Sequence, residues 1–412
     1  MKKSYSRPVT KCQISNSKKL SSLIFLGYLP PVNTLRKIGS TPEEEISFPA
    51  ELLYCNKSKL AQLGCIVDKE ILFPYSYPYT SSTTKILREN FTDLYKDTKK
   101  IVNLKKNDLV IDIGSNDGNL LSNFKTNHKV LGVTPEKIGK IAIKKGIPTI
   151  IDYFNEKISS KIVKKYGKAK IITATNVFAH IDNIDEVLNS IYNLLDDKSI
   201  FISESHYLHT LINENQYDTI YHEHLRYYSL SSLNYLFNKH DMEIIKAKKI
   251  NTHGGSIRVY AAKKNNFKID KEFKELINIE EKELYDEGLF NFKSRVIKSK
   301  LDLYSLLAKI KSNNSKIYGI SAPSRATTLI NYLGINADIV ECILEIDGSQ
   351  KINHFLPGTN IPIYNEKKLY EDNPDFALIL SWHIGKEIMN NLRKNGFKGK
   401  FIMPLPKPRI IE

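Results

Sequence analysis

The segment DLVIDIGSNDG, residues 108–118, constrains this chain more than any other. A continuous apolar run, Leu109–Ile113, leads directly into a glycine-rich turn, and such runs belong to parallel strands buried on both faces. Gly114 and Gly118 stand where a missing side chain lets backbone approach a ligand, while the next helix offers its N-terminus to a carboxylate. The spacing is G-x-x-x-G, not the G-x-G-x-x-G of a dinucleotide fingerprint. Two acids, Asp112 and Asp117, share the loop. They would repel a diphosphate and attract a sulfonium and an amino group. The charge therefore favours S-adenosylmethionine over a dinucleotide or ATP, with Asp112, Gly114, Asn116, Asp117 and Gly118 at the cofactor. The bland alternative is an ordinary strand-to-helix turn.

The surrounding pattern supports a doubly wound α/β sheet. Strand candidates Lys129–Val133, Thr149–Ile151, Lys170–Thr175 and Ser199–Ser203 alternate with helix-periodic segments, of which Ile184–Leu195 is the clearest. Met242–Lys248 and Ser256–Ala262 can add an antiparallel hairpin at the edge. At 412 residues the chain is long for one domain, and its organisation reads as four stretches. Residues 1–85 form a small irregular domain, 86–266 the cofactor domain, 267–311 linking helices, and 312–412 a second, smaller α/β unit. A Rossmann-like site places an acid at the tip of the second strand to hold ribose hydroxyls. Here Thr134 occupies that place, so either Glu136 reaches back or Thr134 makes a weaker contact. Asp152, after the third strand, is placed to face the adenine amino group, and Asn176 follows the fourth strand.

A second concentration of chemistry lies in YDTIYHEHLRYY, residues 217–228. Tyr221, His222, Glu223 and His224 are consecutive, and each prefers a hydrated or hydrogen-bonded setting. Histidine takes protons near neutral pH, and a neighbouring carboxylate orients it and raises its basicity. If the segment is extended, His222 and His224 share one face, and Tyr221 and Glu223 the other. A polar loop with capping histidines is the structural alternative. His180 follows the fourth predicted strand, at the strand ends where open α/β sheets bind ligands, and His253-Gly254-Gly255 precedes the last strand. The H-x-H pattern with a nearby Glu could ligate zinc, but no HExxH-like spacing accompanies it and methyl transfer needs no metal.

Composition excludes several classes. With 41% hydrophobic and 10% aromatic residues the chain can bury full cores. No apolar run approaches the roughly 18 residues of a membrane helix, and the N-terminus lacks a signal-peptide core; a soluble cytoplasmic protein is expected. The net charge of +16 comes from lysines scattered through every segment, without a dense basic block, which argues against nucleic acid. An AT-rich genome produces the same Lys, Asn and Ile bias, and a phosphate-bearing ligand is the best functional reading of it. Cys12, Cys55, Cys65 and Cys342 are too few and too dispersed for a disulfide scaffold, and none forms a CxxC pair.

Taken together, IDIGSNDGNLL, ATNVFAHID, DTIYHEHLRYYSL, THGGSIRVY, SAPSRATTLINY and LPGTNIPI resemble the nucleotide-sugar C-methyltransferase family, in order and over almost the whole chain. The resemblance implies an N-terminal zinc module, a class I methyltransferase sheet, and a C-terminal Rossmann-like domain that helps hold a sugar nucleotide. It implies that Tyr221, Glu223, His224 and His180 form the active site, joined by Tyr77 or Tyr79. It implies methylation of C-3 or C-5 beside the 4-keto group of a nucleotide-linked deoxysugar. On that chemistry His224 is the base, oriented by Glu223, with His180 and Tyr221 stabilising the enolate oxygen. The turn at Ser324 and Arg325 suits a diphosphate, although a plain turn with Arg in a salt bridge is the alternative.

One departure from the family is plain. Where its zinc module has two CxxC pairs, this chain has Cys12-Gln13-Ile14-Ser15 and Cys55-Asn56-Lys57-Ser58. Serine lacks the charge and softness of thiolate, so zinc is doubtful and no metal ligands are expected. The expected partner is a nucleotide-sugar substrate, with no nucleic acid and no membrane, and the chain is a monomer or small homo-oligomer. The rival readings are a methyltransferase for a non-sugar carbonyl compound and an inactive binding homologue.

Overall fold

The structure is a computed structural model that describes residues 5–41, 43–73 and 85–412. Tyr77 and Tyr79 lie outside the described residues.

The central sheet has seven strands in the order Met242–Ile250, Ser256–Lys263, Leu195–His206, Ala169–Thr175, Leu109–Ile113, Lys129–Val133 and Thr149–Ile150. The five strands from Thr149–Ile150 through Leu195–His206 are parallel. Ser256–Lys263 runs antiparallel between Leu195–His206 and Met242–Ile250. This is the doubly wound sheet with a terminal hairpin that the apolar runs predict. Leu109–Ile113 is buried along its whole length, as a strand covered on both faces must be. One local expectation fails: the helix after the glycine loop is a single turn, Asn119–Ser122. A macrodipole needs several aligned peptides, so this turn offers a carboxylate little.

The second α/β unit has a parallel centre, Lys400–Met403, Phe376–Ile379, Ile317–Ile320, Cys342–Glu345 and Pro362–Asn365, with antiparallel edges. The linking stretch is helical, from Lys271–Glu280 through a widened turn into the long helix Leu289–Lys311.

The N-terminal stretch is threaded through both other units. Its sheet of Ser21–Leu29, Phe48–Cys55 and Leu60–Leu63 is extended by Arg226–Tyr227, the strand just beyond His224. Arg36–Lys37 in turn adds an edge strand to the C-terminal sheet. Ile24, Leu52, Phe292, Leu303, Leu329 and Ile343 belong to one buried cluster. Separate apolar cores would leave the units free to move relative to one another; a shared core fixes them. The Y-H-E-H segment is thereby held from two sides.

Candidate active site

The cofactor loop is as tight as its glycines require. Gly114 has φ +76°, and a Cβ there would lie 2.1 Å from Val177 Cγ2. Gly118 has φ +78°, with Ile147 Cδ1 2.7 Å from where its Cβ would stand. Both positions therefore exclude side chains by sterics as well as by dihedral angle. The Gly114 N–H donates to Val133 O at 2.7 Å, tying the loop to the second strand.

The two acids of the loop are less available to a cation than their position in the sequence suggests. Asp112 is buried and accepts the Thr173 hydroxyl at 2.6 Å. Burial, with a smaller push from Glu204, raises its pKa to about 7 against that hydrogen bond. Asp117 is turned to Lys145 at 3.0 Å, which compensates its charge within the protein. The attraction argued from two free carboxylates is thus partly masked.

Other groups fit the cofactor better. Asn176 has φ +56° and donates its N–H to Glu204 O at 2.8 Å. Its buried Oδ1 has no partner among the described residues, and neither do Ser115 Oγ and Asn119 Nδ2. Buried amide and hydroxyl groups are normally satisfied, so three such atoms beside the glycine loop mark a ligand cradle. At the second strand tip the Thr134 hydroxyl donates to the Glu136 carboxylate. That bond turns the Glu136 carboxylate back toward the second strand tip. Asp152 lies beside it, its N–H on Thr134 O at 3.1 Å and its carboxylate on the Tyr153 N–H at 2.8 Å.

The Y-H-E-H segment is a turn, not an extended strand. The His224 N–H donates to Tyr221 O at 3.0 Å, which brings residues three apart together. Tyr221 and His224 rings lie 4.2 Å apart, and the alternation expected of a strand does not hold. His222 points away, toward Pro49 O at 3.2 Å and the Phe48 ring. His224 Nδ1 meets Thr219 O at 3.1 Å. A carbonyl only accepts, so Nδ1 carries the proton and Nε2 keeps its lone pair. The expected orienting group, the Glu223 carboxylate, instead accepts from Asn33 Nδ2 at 2.7 Å. Glu223 contributes its backbone carbonyl to His180 Nδ1 at 2.5 Å.

Four imidazoles gather here. His180 and His206 rings each lie 5.1 Å from His224, and His253 lies 5.7 Å from His206. Burial is the largest cause that holds all four pKa values down, to about 4 for His180 and His253 and well below 6.5 for His206 and His224. The Arg325 charge adds to this at His206, His224 and His253. All four are neutral at pH 7, and burial also raises the Tyr221 pKa. Such a cluster can accept a proton and can donate hydrogen bonds to a developing oxyanion.

Ser324 and Arg325 begin the helix Ser324–Leu333, but Arg325 does not face an open anion site. Its Nε is 3.3 Å from Asp218 Oδ2, and its Nη1 meets His383 Nδ1 at 2.8 Å. The guanidinium also stacks over Trp382, 5.1 Å from the ring centroid. Desolvation favours this pairing with a buried carboxylate, the alternative to the diphosphate role expected of Arg325. Ser324 Oγ is 3.5 Å from Asn33 Nδ2, so it stands near Glu223. Lys351 Nζ donates to Ala322 O at 2.5 Å in the same turn.

Asn33, His206, Asp218, Lys351 and Trp382 are additions to the residues singled out from the sequence. Only His206 had a usable signal, because it ends a strand of the central sheet as His180 nearly does.

Cys12, Ser15, Cys55 and Ser58 converge, as two CxxC pairs would. Cys12 Sγ is 3.1 Å from Ser58 Oγ, and Ser15 Oγ is 3.4 Å from Cys55 Sγ. Burial pushes the Cys55 thiol up, but hydrogen bonds from Ser15, Ser58 and Cys12 outweigh it and bring it to about 7. Cys65 packs elsewhere, with Phe48, Val67 and Leu72. Two thiols and two hydroxyls that bond one another do not fit structural zinc, and no cluster of three or more His, Cys, Asp or Glu suited to a metal occurs among the described residues. No described helix is long and apolar enough to cross a membrane.

A glycine turn after the first strand of a sheet in this order, with unpartnered polar atoms at the strand ends, defines an S-adenosylmethionine-dependent methyltransferase. Comparison with known proteins agrees. Residues 86–247 match a methyltransferase domain, residues 251–406 a C-methyltransferase C-terminal domain, and residues 12–73 a domain family named for zinc binding. C-methyltransferase NovU of Streptomyces niveus is 28% identical over 98% of this chain and 97% of its own length. An S-adenosylmethionine-dependent methyltransferase from Clostridium acetobutylicum is 14% identical, covering 44% of this chain and 93% of that one, with a TM-score of 0.34. A methyltransferase from Anabaena variabilis is 16% identical, covering 44% and 86%, with a TM-score of 0.35. These matches support reading the chain as an S-adenosylmethionine-dependent C-methyltransferase.

Proposed function

We propose that the chain methylates a carbon, C-3 or C-5, next to the 4-keto group of a nucleotide-linked deoxysugar, with His224 as the base. The observation that carries this reading is the His224 hydrogen bond to Thr219 O. It leaves Nε2 as a bare, neutral acceptor beside Tyr221 and His180, at the strand ends that carry the cofactor cradle. The ketone acidifies the adjacent C–H bond. His224 Nε2 takes that proton, the bonding pair passes into the enolate, and Tyr221 and His180 stabilise the oxygen where charge develops. S-adenosylmethionine, when bound, would offer the enolate carbon an electrophilic methyl group, the carbon–sulfur bonding pair staying on sulfur as a neutral thioether. Asn176, Ser115, Asn119 and Glu136 would hold it.

The acceptor class rests on the motif resemblance. Tyr77 or Tyr79 would face the sugar. With Arg325 committed inward, Ser324 and Lys351 are left to a diphosphate. The test is methyl transfer, followed by mass spectrometry, to a 4-keto-deoxysugar nucleotide and to simple ketones of similar size. Transfer to the nucleotide is expected to exceed transfer to the ketones by at least 10²-fold, as a site built around polar substrate groups discriminates. Equal rates would sink the sugar assignment while leaving carbon methylation standing.

We also propose that the N-terminal module folds without zinc. The zinc-free reading makes a reciprocal prediction for Ser15→Cys/Ser58→Cys. The double variant should bind about one zinc per chain and lose stability on chelation, whereas the natural chain should show neither effect by metal analysis and thermal melting. Stoichiometric zinc in the natural chain would contradict this.

A further inference from the structure

We infer that Asp218 is a positioning residue for the base, and that through it the C-terminal domain takes part in the chemistry. The inference rests on the reading of His224 as base. Among the described residues, His224 Nδ1 is held by the carbonyl of Thr219, at 3.1 Å. Thr219 ends a one-turn helix, Tyr217–Thr219, and one hydrogen bond from the Tyr227 hydroxyl, at 3.1 Å, also lands on its carbonyl. A turn of three residues has too few internal hydrogen bonds to fix a carbonyl by itself.

The turn is fixed from outside. Asp218, the residue before Thr219, is fully buried, and its carboxylate points to the C-terminal domain. Its Oδ2 accepts the Trp382 indole N–H at 2.7 Å and pairs with Arg325 Nε at 3.3 Å. Arg325 is held in place in turn by Trp382 and His383. On the other side Gln216 reaches Gly254 O at 2.6 Å and stands 3.5 Å from Arg325 Nη2. The turn that aims the base is therefore clamped between the hairpin carrying His253 and the C-terminal domain. Burial pushes the Asp218 carboxyl up, and Arg325 and Trp382 oppose it. An ionised carboxylate in this place is stable only while both partners are docked. Asp218 thus converts domain docking into the position of Thr219 O, and Thr219 O sets the direction of the His224 lone pair.

Misplacing a catalytic group by about 1 Å can cost about 10²-fold in rate. The test reads the base alone: deuterium uptake from D2O into thymidine diphosphate 4-keto-6-deoxyglucose by the full-length protein, with S-adenosylhomocysteine replacing the methyl donor. Asp218→Asn, which keeps an acceptor for Trp382, should lower uptake at least tenfold. In methyl transfer, its kcat should fall in parallel while KM for S-adenosylmethionine stays within twofold. Asp218→Asn/Arg325→Gln, which removes both charges together, should recover uptake to within about threefold of the natural chain. A role limited to stability would leave uptake per folded molecule unchanged, so a folded Asp218→Asn that exchanges at the natural rate overturns the inference. Should Asp218→Asn not fold, Trp382→Phe removes just the indole donor and should lower uptake threefold or more; uptake at the natural rate there overturns it equally. His224→Asn separates the two assignments. Natural exchange in His224→Asn removes the base reading and the inference with it, whereas a silent His224→Asn beside an unimpaired Asp218→Asn removes the inference alone.

Discussion

His224→Asn should lower methyl transfer by about 10³-fold, within the 10²–10⁴ range that a positioned general base contributes, while the affinity for S-adenosylmethionine stays within about twofold. The choice of Asn matters. Its amide can keep the donor bond to Thr219 O, now made by His224 Nδ1 at 3.1 Å, but it carries nothing at the place of Nε2. Packing against Tyr221 is also partly retained. Binding of the methyl donor, measured by calorimetry, should be insensitive because the cradle proposed for it uses Asn176, Ser115 and the glycine loop rather than this ring. The pH profile gives a second reading. The neutral imidazole is the active form, and burial, His180, His253 and Arg325 hold its pKa well below 6.5. Activity should therefore stay level from pH 8 down through pH 6.5 and fall only in more acid solution, when the base becomes protonated. A variant retaining more than a tenth of the natural kcat would remove His224 from the role.

Much of this fold is legible in the sequence, for a physical reason. Leu109–Ile113, Gly114 and Gly118 encode a buried parallel strand and a tight turn through side-chain size and polarity within a dozen residues, and such local requirements survive in any context. The residues proposed as catalytic are legible too, since Tyr221, His180 and His224 are costly to bury without purpose. Their orientation is not. Whether Tyr221 lies opposite His224 or stacks on it depends on one turn, and that turn depends on the Arg226–Tyr227 strand pairing with Leu60–Leu63 far away in sequence. Arg325 illustrates the same limit. A strand-to-helix turn bearing Ser and Arg has the same pattern whether the guanidinium meets a diphosphate or an interior carboxylate. Asp218, which decides between them, lies in another domain. Asn33 is harder still, because a loop after two prolines carries no periodicity and its value comes wholly from ending beside Glu223.

Arg258→Met should cost about 3–5 kcal/mol of stability, the range for breaking a buried ion pair by removing one partner. Arg258 and Glu204 both have 0% side-chain exposure, with Arg258 Nε 2.5 Å from Glu204 Oε1. Asn90 closes the ring, donating to Glu204 Oε2 at 2.9 Å and accepting from Arg258 Nη2 at 2.8 Å. Arg258 Nη1 also reaches Asp93 at 3.1 Å, and Lys248 meets Asp93 and Asp97 at 2.8 and 2.9 Å. The network ties three strands of the central sheet to the helix Lys85–Ile101. Burial already raises the Glu204 carboxyl, with Arg258 as the main opposing influence. Removing the guanidinium takes that opposition away, so burial raises the Glu204 carboxyl further and favours folding with a proton bound. A carboxyl whose folded pKa lies above its unfolded one supports folding at low pH and loses that support as pH rises through the folded value. Urea midpoints for Arg258→Met should accordingly lie closest to the natural chain near pH 5 and fall furthest behind near pH 8. Arg258→Met/Glu204→Gln should recover at least half the loss at pH 8, because Gln is neutral and needs no proton on folding. The Glu204 carbonyl holds the Asn176 N–H at 2.8 Å, so the single variant should also bind S-adenosylmethionine several-fold more weakly. A gap that ignores pH would mean that Arg258 stabilises the sheet through packing, not through its charge.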